Sequence, residues 1–239
     1  MNSNATVALR RAPFLTPTLT KQSWYFIVGG SLFAVGSAAS IWNFAGVHFT
    51  NWACFIGAWF FTTAGLYQLI MSGDATVVVA HGQGKALRAE WLAAATQSFG
   101  TLLFNVSTTA ALTATSVAAE KHYVWNPDAG GSVAFLISAV FVYVAYYRVE
   151  HSLWKPTDAG WWAAHINMLG CIAFAFSAAG AYVLDDGAGR DPGLANWGTF
   201  IGAICFVVAS AIVLPQLPWN RTARKPAAPA PGPITSNNL

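Results

Sequence analysis

The chain has 239 residues, of which 55% are hydrophobic and only 9% are charged, and its formal net charge is +3. Soluble domains carry about 25% charged residues, so the composition excludes an ordinary soluble domain and indicates a membrane protein whose main partner is the lipid bilayer. No nucleic-acid partner is expected, because membrane topology accounts for the distribution of the basic residues.

Six apolar runs are long enough to cross roughly 30 Å of hydrocarbon. In chain order they cover about 24–44, 52–71, 91–117, 129–147, 161–184 and 196–214. No proline interrupts a run, and all tryptophans except Trp59 lie near predicted boundaries or in loops, as in an aromatic belt. We therefore predict an all-α polytopic membrane protein with six transmembrane helices.

The runs divide the chain into three regions. Residues 1–22 form an N-terminal arm, residues 23–214 the transmembrane domain, and residues 215–239 a Pro/Ala-rich tail that we expect to be disordered. The motif "LRRAPFL" at 9–15 resembles part of an export signal. However, the first apolar run is longer than a signal-peptide core, so we expect this helix to be retained.

The basic residues predict the orientation in the membrane. Ten of the twelve Lys and Arg residues fall in the two termini and in the second and fourth loops, against Lys121 and Arg190 on the other side. Cytoplasmic loops of membrane proteins are enriched in Lys and Arg. The sequence thus predicts a multi-pass plasma-membrane protein with both termini in the cytoplasm.

The predicted helices also form a repeat of about 70 residues. "GGSLFAVGSAAS" at 29–40 aligns with "GTLLFNVSTTAA" at 100–111 and "GCIAFAFSAAGA" at 170–181, and Gln97 aligns with Asn167. This pattern predicts three tandem parallel-repeat helical hairpins, over about 23–72, 90–148 and 160–214. A bundle with a pseudo-threefold axis would satisfy the repeat, as would three hairpins in a row.

Small residues recur at four-residue spacing along these runs. In lipid, small residues let helix backbones approach closely. We therefore predict helix–helix contacts at six glycines: Gly29, Gly57, Gly100, Gly170, Gly198 and Gly202.

Few polar side chains occur inside the apolar runs. The intramembrane candidates for a functional role are Gln97, Asn105, Thr108, Thr109, His165 and Asn167. The three amides can hydrogen-bond with one another across a bundle, whereas His165 lies near a predicted helix end, which favours an interfacial donor over a proton relay. The hydroxyls can equally bond back to carbonyls of the preceding turn, so a packing role for the set stays open.

No pattern of catalytic residues accompanies these polar groups. All nine acidic residues lie in loops or at helix ends, and no nucleophile–base, zinc or phosphate-binding motif occurs. Side chains such as His48, His122 and Asp185, predicted on the side opposite the termini, match no metal-ligand spacing, so we expect a solvated acidic rim there. The sequence predicts neither an enzyme nor a cofactor or metal.

The first unit, "SWYFIVGGSLFAVGSAASIWNFAGVHFTNWACFIGAWFFTTAGLYQLI", resembles the YrhK-like family of small two-helix membrane domains. The shared pattern is a Gly/Ser-rich first helix and a second helix that opens with a "FIGA"-type run. Later stretches, among them "NPDAGGSVAFLIS", resemble long actinobacterial relatives built from several such units, so the similarity covers roughly 24–214. The resemblance implies a membrane protein with no catalytic residue to transfer. A looser similarity to accessory subunits of Mce-type lipid importers implies a setting in lipid transport.

These observations predict a non-enzymatic scaffold or accessory subunit that binds partner proteins in a larger membrane complex, with lipid transport as the expected setting. The first alternative is a transporter or channel for an uncharged or lipidic solute, for which the intramembrane amides and threonines would line the path. The second alternative is a membrane sensor of unknown ligand.

Overall fold

The computed structural model describes residues 16–78 and 84–214. Its helices are α1 (Leu19–Ile41), α2 (Val47–Met71), α3 (Ala89–Ala111), α4 (Val117–Ala119), α5 (Asn126–Glu150), α6 (Ala159–Gly180) and α7 (Pro192–Ile212). A π-helical segment, Glu120–Trp125, joins α4 to α5, and two short strands, β1 (Thr76–Val78) and β2 (Lys85–Leu87), lie between α2 and α3. The predicted tail and most of the predicted arm lie outside the described residues.

Five helical segments are long and apolar enough to cross a membrane: Leu19–Ile41, Val47–Met71, Val117–Glu150, Ala159–Gly180 and Pro192–Ile212. The prediction of a helical, multi-pass membrane protein is therefore confirmed. The remaining long helix, α3, is outside this group because much of its length is polar. Its apolar residues Phe99, Leu102 and Val106 are exposed, whereas Gln97 and Thr101 are buried.

Capping side chains determine where two of the helices begin. Asp158 accepts a hydrogen bond from the Trp161 backbone N–H at 3.1 Å, and Asp191 accepts one from Leu194 at 2.9 Å. Such caps satisfy N–H groups that the first helical turn leaves without partners. By contrast, α3 ends at Ala111, six residues before the predicted boundary at 117, because the chain turns toward α4.

The six long helices pack as a closed ring. α1 packs against α2 and α7, α3 packs against α2 and α5, and α6 packs against α5 and α7. Consecutive helices form the hairpins α1–α2, α3–α5 and α6–α7. We call the end of the ring where α1 begins and α7 ends the terminal end, and the other the opposite end.

A glycine-to-glycine approach recurs in each hairpin. A methyl carbon added at Gly29 would lie 2.9 Å from the carbonyl oxygen of Gly57. The corresponding distances are 3.1 Å from Gly100 to the carbonyl oxygen of Gly131, and 3.2 Å from Gly170 to that of Gly202. At Gly198, the same methyl carbon would lie 2.7 Å from the carbonyl oxygen of Ala173. Each of the six predicted packing glycines therefore touches a neighbouring helix with its backbone.

Phenylalanines fill the centre of the ring. Phe61, Phe135 and Phe206 form a triangle in which the ring centroids are 6.5, 5.4 and 5.6 Å apart. Each also contacts a phenylalanine of its own hairpin partner, in the pairs Phe33–Phe61, Phe104–Phe135 and Phe174–Phe206. All six side chains are buried. We call these six residues the phenylalanine layer; it closes the ring across its middle.

A small sheet outside the ring departs from the predicted all-α fold. β1 and β2 pair antiparallel, with Thr76 opposite Leu87 and Val78 opposite Lys85, and both strands are exposed. Strands of three residues give too short an alternating pattern to be recognised in a sequence. The tip of this hairpin, including most of "HGQGK", lies outside the described residues.

Candidate functional site

A cavity of about 250 Å³ lies inside the terminal end of the ring, and all six long helices contribute to its wall. α1 presents Gln22, Ser23 and Phe26 to the cavity, because residues three and four positions apart share a side of a helix. The lining residues are Gln22, Ser23, Phe26, Gln68, Gln97, Val142, Tyr146, Gly160, Ala163, Ala164, Asn167, Phe206, Ala209, Ser210 and Val213.

Three of these wall positions are equivalent in the three hairpins. Phe26, Gln97 and Asn167 each lie three residues before the glycine that contacts the second helix of its hairpin. The structure thus brings Gln97 and Asn167, which align in the sequence, to one cavity. At the equivalent position α1 has an aromatic ring, so the cavity is polar on two sides and apolar on the third.

Several polar atoms of the cavity wall have no hydrogen-bond partner within the protein. Ser23 is 1% exposed, and its hydroxyl oxygen is fully buried and unpaired. Gln97 is 3% exposed, and in the described part of the chain no hydrogen bond involves its carboxamide or those of Gln22 and Gln68. Asn167 makes only a long contact, 3.9 Å, to the Cys171 sulfur. Buried polar groups are normally paired, so the buried Ser23 and Gln97 need partners that water or a bound molecule in the cavity would supply.

The floor of the cavity is aromatic. Phe26 and Phe206 line it, and their ring centroids are 6.4 Å apart. Phe206 belongs to the phenylalanine layer, so the cavity ends where that layer begins. None of the described residues that line the cavity lies beyond this layer, toward the opposite end.

A wider cavity of about 610 Å³ adjoins the first and shares Gln22, Gln68, Val142 and Tyr146 with it. Its other walls are mainly apolar, and Glu90 and Glu150 lie at its rim. We call the 250 Å³ space the inner cavity and the 610 Å³ space the outer cavity. Together they form a funnel that narrows from the terminal end toward the phenylalanine layer.

The charges at the rim are balanced by neighbouring bases. Arg88 Nε lies 3.6 Å from a carboxylate oxygen of Glu90, and Lys155 forms an ion pair with Glu150. The hydrogen bond to Glu150 raises the pKa of Lys155 above its usual value. Among the described residues, neither cavity therefore presents an unpaired charge, and no Asp, Glu, Lys, Arg or His of this part of the chain lines the inner cavity.

Tyr146 and Asp158 organise the mouth of the inner cavity. The Tyr146 hydroxyl donates to a carboxylate oxygen of Asp158 at 3.0 Å. The same oxygen caps α6 by accepting the Trp161 backbone N–H. This arrangement ties the end of α5 to the start of α6 on one side of the funnel.

The remaining polar candidates of α3 lie at the level of the phenylalanine layer or beyond it, toward the opposite end. Asn105 is eight residues from Gln97, about 12 Å along the helix. Its amide nitrogen donates to the Thr62 hydroxyl at 2.5 Å, and its side-chain oxygen is buried without a partner. Thr108 bonds back to the carbonyl of Phe104 at 2.8 Å, and Thr109 is exposed on the outer face. Among the described residues, no hydrogen bond joins Gln97, Asn105 and Asn167: distance along α3 separates Asn105 from Gln97, and Gln97 and Asn167 share the inner cavity without bonding to each other.

His165 lies outside both cavities, in an aromatic cluster at the start of α6. Its Nδ1 donates to the carbonyl oxygen of Trp161 at 2.8 Å, and its ring lies 4.0 Å from the Trp161 ring and 5.0 Å from that of Tyr143. The imidazole is thus held by one backbone acceptor and two aromatic neighbours. The arrangement is that of a packed interfacial side chain.

At the opposite end, Lys121 and Asp185 form an exposed ion pair with a nitrogen–oxygen distance of 2.6 Å. The hydrogen bond from Lys121 lowers the pKa of Asp185 below its usual value. Within residues 16–78 and 84–214, no three His, Cys, Asp or Glu side chains come close enough together to hold a metal ion.

Sequence reasoning missed Gln22, Ser23 and Gln68 as site residues. They lie near the ends of helices, where polar residues ordinarily reach the headgroup region. Their residue types therefore did not distinguish them from ordinary polar residues at helix ends. Only the ring arrangement, which faces the ends of α1, α2, α3 and α6 toward one axis, reveals that these side chains share a cavity with Gln97.

No protein-family model, curated protein or solved structure matched the chain when it was compared with each. The resemblance to the YrhK-like family and to accessory subunits of lipid importers therefore stays a prediction.

Proposed function

We propose that this chain is a non-enzymatic integral membrane protein that binds an uncharged or lipidic solute in the funnel at its terminal end, as a transporter or a ligand-binding membrane protein. The observation that carries the proposal is the inner cavity, where unpaired carboxamides and a buried hydroxyl line a space that contains no charge. An ion would lose its hydration there without gaining a counter-charge, and this is costly in a low-dielectric interior.

The proposed membrane arrangement has six crossings in three tandem hairpins of the same orientation. The recurring glycine contact and the closed ring of helices support this arrangement. α3 belongs to it as a sixth crossing because its exposed face is apolar and its polar face is turned inward. With both termini in the cytoplasm, as the basic residues predict, the funnel opens toward the cytoplasm.

The second candidate function is a scaffold or accessory subunit of a larger complex in the plasma membrane. It is favoured by the phenylalanine layer, whose six buried rings pack across the middle of the ring, between its two ends. In that case the funnel would be a ligand-binding or docking feature of a non-transporting subunit.

One purification distinguishes the two candidates. We would extract the full chain from native membranes in mild detergent and record by native mass spectrometry what stays bound to wild type and to Gln97→Leu. A small uncharged molecule that is present on wild type and lost from Gln97→Leu supports solute binding in the funnel. A stoichiometric protein partner that both forms retain, with no bound small molecule, would favour the accessory subunit instead.

A further inference from the structure

We propose that the inner cavity binds a small uncharged solute that carries both hydrogen-bond donors and acceptors, of the carboxamide or urea class, rather than an ion or a lipid. The inference rests on the proposed function and names its substrate class. It is drawn from which atoms of the wall lack partners and from where the cavity ends.

The unpaired groups are of a kind that requires both donors and acceptors from a ligand. A carboxamide offers an oxygen that accepts and an NH₂ group that donates. Four such groups line the inner cavity, from Gln22, Gln68, Gln97 and Asn167. The Ser23 hydroxyl adds a group that can donate or accept a hydrogen bond. A ligand with acceptors alone would leave the carboxamide oxygens unpaired. A planar amide or urea satisfies both kinds of group at once.

The burial of Ser23 makes the cavity a built site rather than an incidental gap. Its hydroxyl is unpaired, although many serines in helices bond back to a carbonyl of the preceding turn. Ser37 in the same helix does so, donating to the carbonyl of Phe33 at 2.8 Å. The Ser23 hydroxyl could therefore donate to a carbonyl of its own helix, as Ser37 does, but it makes no such bond.

The shape of the inner cavity argues against a long apolar chain. Phe26 and Phe206 close the floor, so a chain bound there could not extend toward the opposite end. Either aromatic ring of the floor can instead contact one face of a small planar solute. The outer cavity, with its apolar walls and charge-paired rim, leads from the terminal end to this polar pocket.

The test is saturation-transfer NMR on the full chain in nanodiscs, with pairs of probes that match in shape and differ in charge or donors. Urea is compared with guanidinium, and acetamide with acetone and acetate. Monooleoylglycerol, a neutral lipid, is the competitor. We expect transfer to urea and acetamide, transfer at least about fivefold weaker to acetone, which lacks donors, and none to guanidinium or acetate.

Two serine variants provide a matched control. Ser23→Ala should weaken urea and acetamide binding about fivefold or more, whereas Ser37→Ala, the same change at a buried site of the same helix outside the cavity, should leave binding unchanged. Guanidinium binding as well as urea, or equal effects of the two variants, would overturn the inference. Binding of monooleoylglycerol without amide binding would overturn it but leave the proposed function in place. No binding of any uncharged probe would overturn both.

Discussion

At Gly198, where α7 crosses α6, the backbones of the two helices lie close together, and we predict that Gly198→Ala destabilises the protein. The added methyl carbon would lie 2.7 Å from the carbonyl oxygen of Ala173 and 2.7 Å from the backbone nitrogen of Ser177. Ordinary contact begins at 3.4 Å, so the two backbones must separate by 3.4 − 2.7 = 0.7 Å. No side chain can move aside, because the obstructing atoms are backbone.

The magnitude follows from three effects. Overpacking of this kind costs about 1–3 kcal/mol, and backbone on both sides favours the upper part of that range. The separation of the helices also weakens the hydrogen bond from the Ser177 hydroxyl to the Ala195 carbonyl, which is 2.7 Å long in wild type. An interhelical hydrogen bond in a membrane contributes about 0.6 kcal/mol. Alanine recovers about 1 kcal/mol of helix propensity. The net expected loss is about 2 kcal/mol, or a fall in Tm of about 4–8 °C.

The assay uses the protein's own cysteines. Cys54, Cys171 and Cys205 are free thiols, and Cys171 is completely buried in the hairpin that Gly198→Ala perturbs. A maleimide fluorophore that reacts with thiols as they become exposed therefore reports the unfolding of α6 and α7 on heating. The control is Gly130→Ala, where the new methyl carbon meets only the end of the flexible Leu103 side chain at 3.2 Å. We expect its Tm to be unchanged or higher. A Gly198→Ala protein with the Tm of wild type would refute the reasoning.

Three further predictions use the same thermal assay. Phe61→Ala should lose about 3–5 kcal/mol, because it removes a 2% exposed ring from the centre of the phenylalanine layer; a loss below 1 kcal/mol would mean that the layer is loosely packed. Asn105→Leu should lower the free energy of unfolding by less than about 1 kcal/mol, although it removes the 2.5 Å hydrogen bond to Thr62. The reason is that it also removes an unpaired buried oxygen, and Thr62 can bond within its own helix. A loss of several kcal/mol would contradict this prediction. The hydrogen bond from Lys121 lowers the pKa of Asp185 below 3.8, so the ion pair contributes stability above that pH and loses it as the pH falls through the lowered pKa. Between pH 7 and pH 2, the Tm of wild type should therefore show a decrease that is missing in Asp185→Asn.

The sequence predicted the positions of the helices better than it predicted how apolar each helix is. α3 lies close to the predicted run, but its hydropathy does not reach that of the five apolar segments. The reason is that its polar side chains face inward and its apolar ones outward, the reverse of a helix in a soluble protein. Averaging over a window cannot distinguish such a helix from a moderately polar one, because the average discards the direction in which each side chain points.

The candidate site was only half predictable, for a related reason. Gln97 and Asn167 stand out because amides are rare in apolar runs and because they align in the repeat. Asn105 stands out equally and yet pairs with Thr62 at the level of the phenylalanine layer. Residue type reveals that a polar group is unusual, but its height along the helix decides whether it joins the funnel or a helix–helix contact. That height is measured from the phenylalanine layer, which only the assembled ring defines.

The phenylalanine layer also bears on how transport could occur at all. Its triangle of Phe61, Phe135 and Phe206 comes from the second helix of each hairpin, and each ring is packed beside the glycine contact of that hairpin. At each glycine contact, an added methyl carbon would lie about 3 Å from the opposing carbonyl oxygen, so the two backbones are already closely packed. One helix therefore cannot slide along the other within a hairpin, and the two helices of each hairpin must move as a rigid unit. Opening a path would then require whole hairpins to separate from one another. If the protein transports its solute, the α2–α3, α5–α6 and α1–α7 interfaces must loosen while the glycine contacts stay closed, and a cross-link across one of those three interfaces should stop flux without preventing binding.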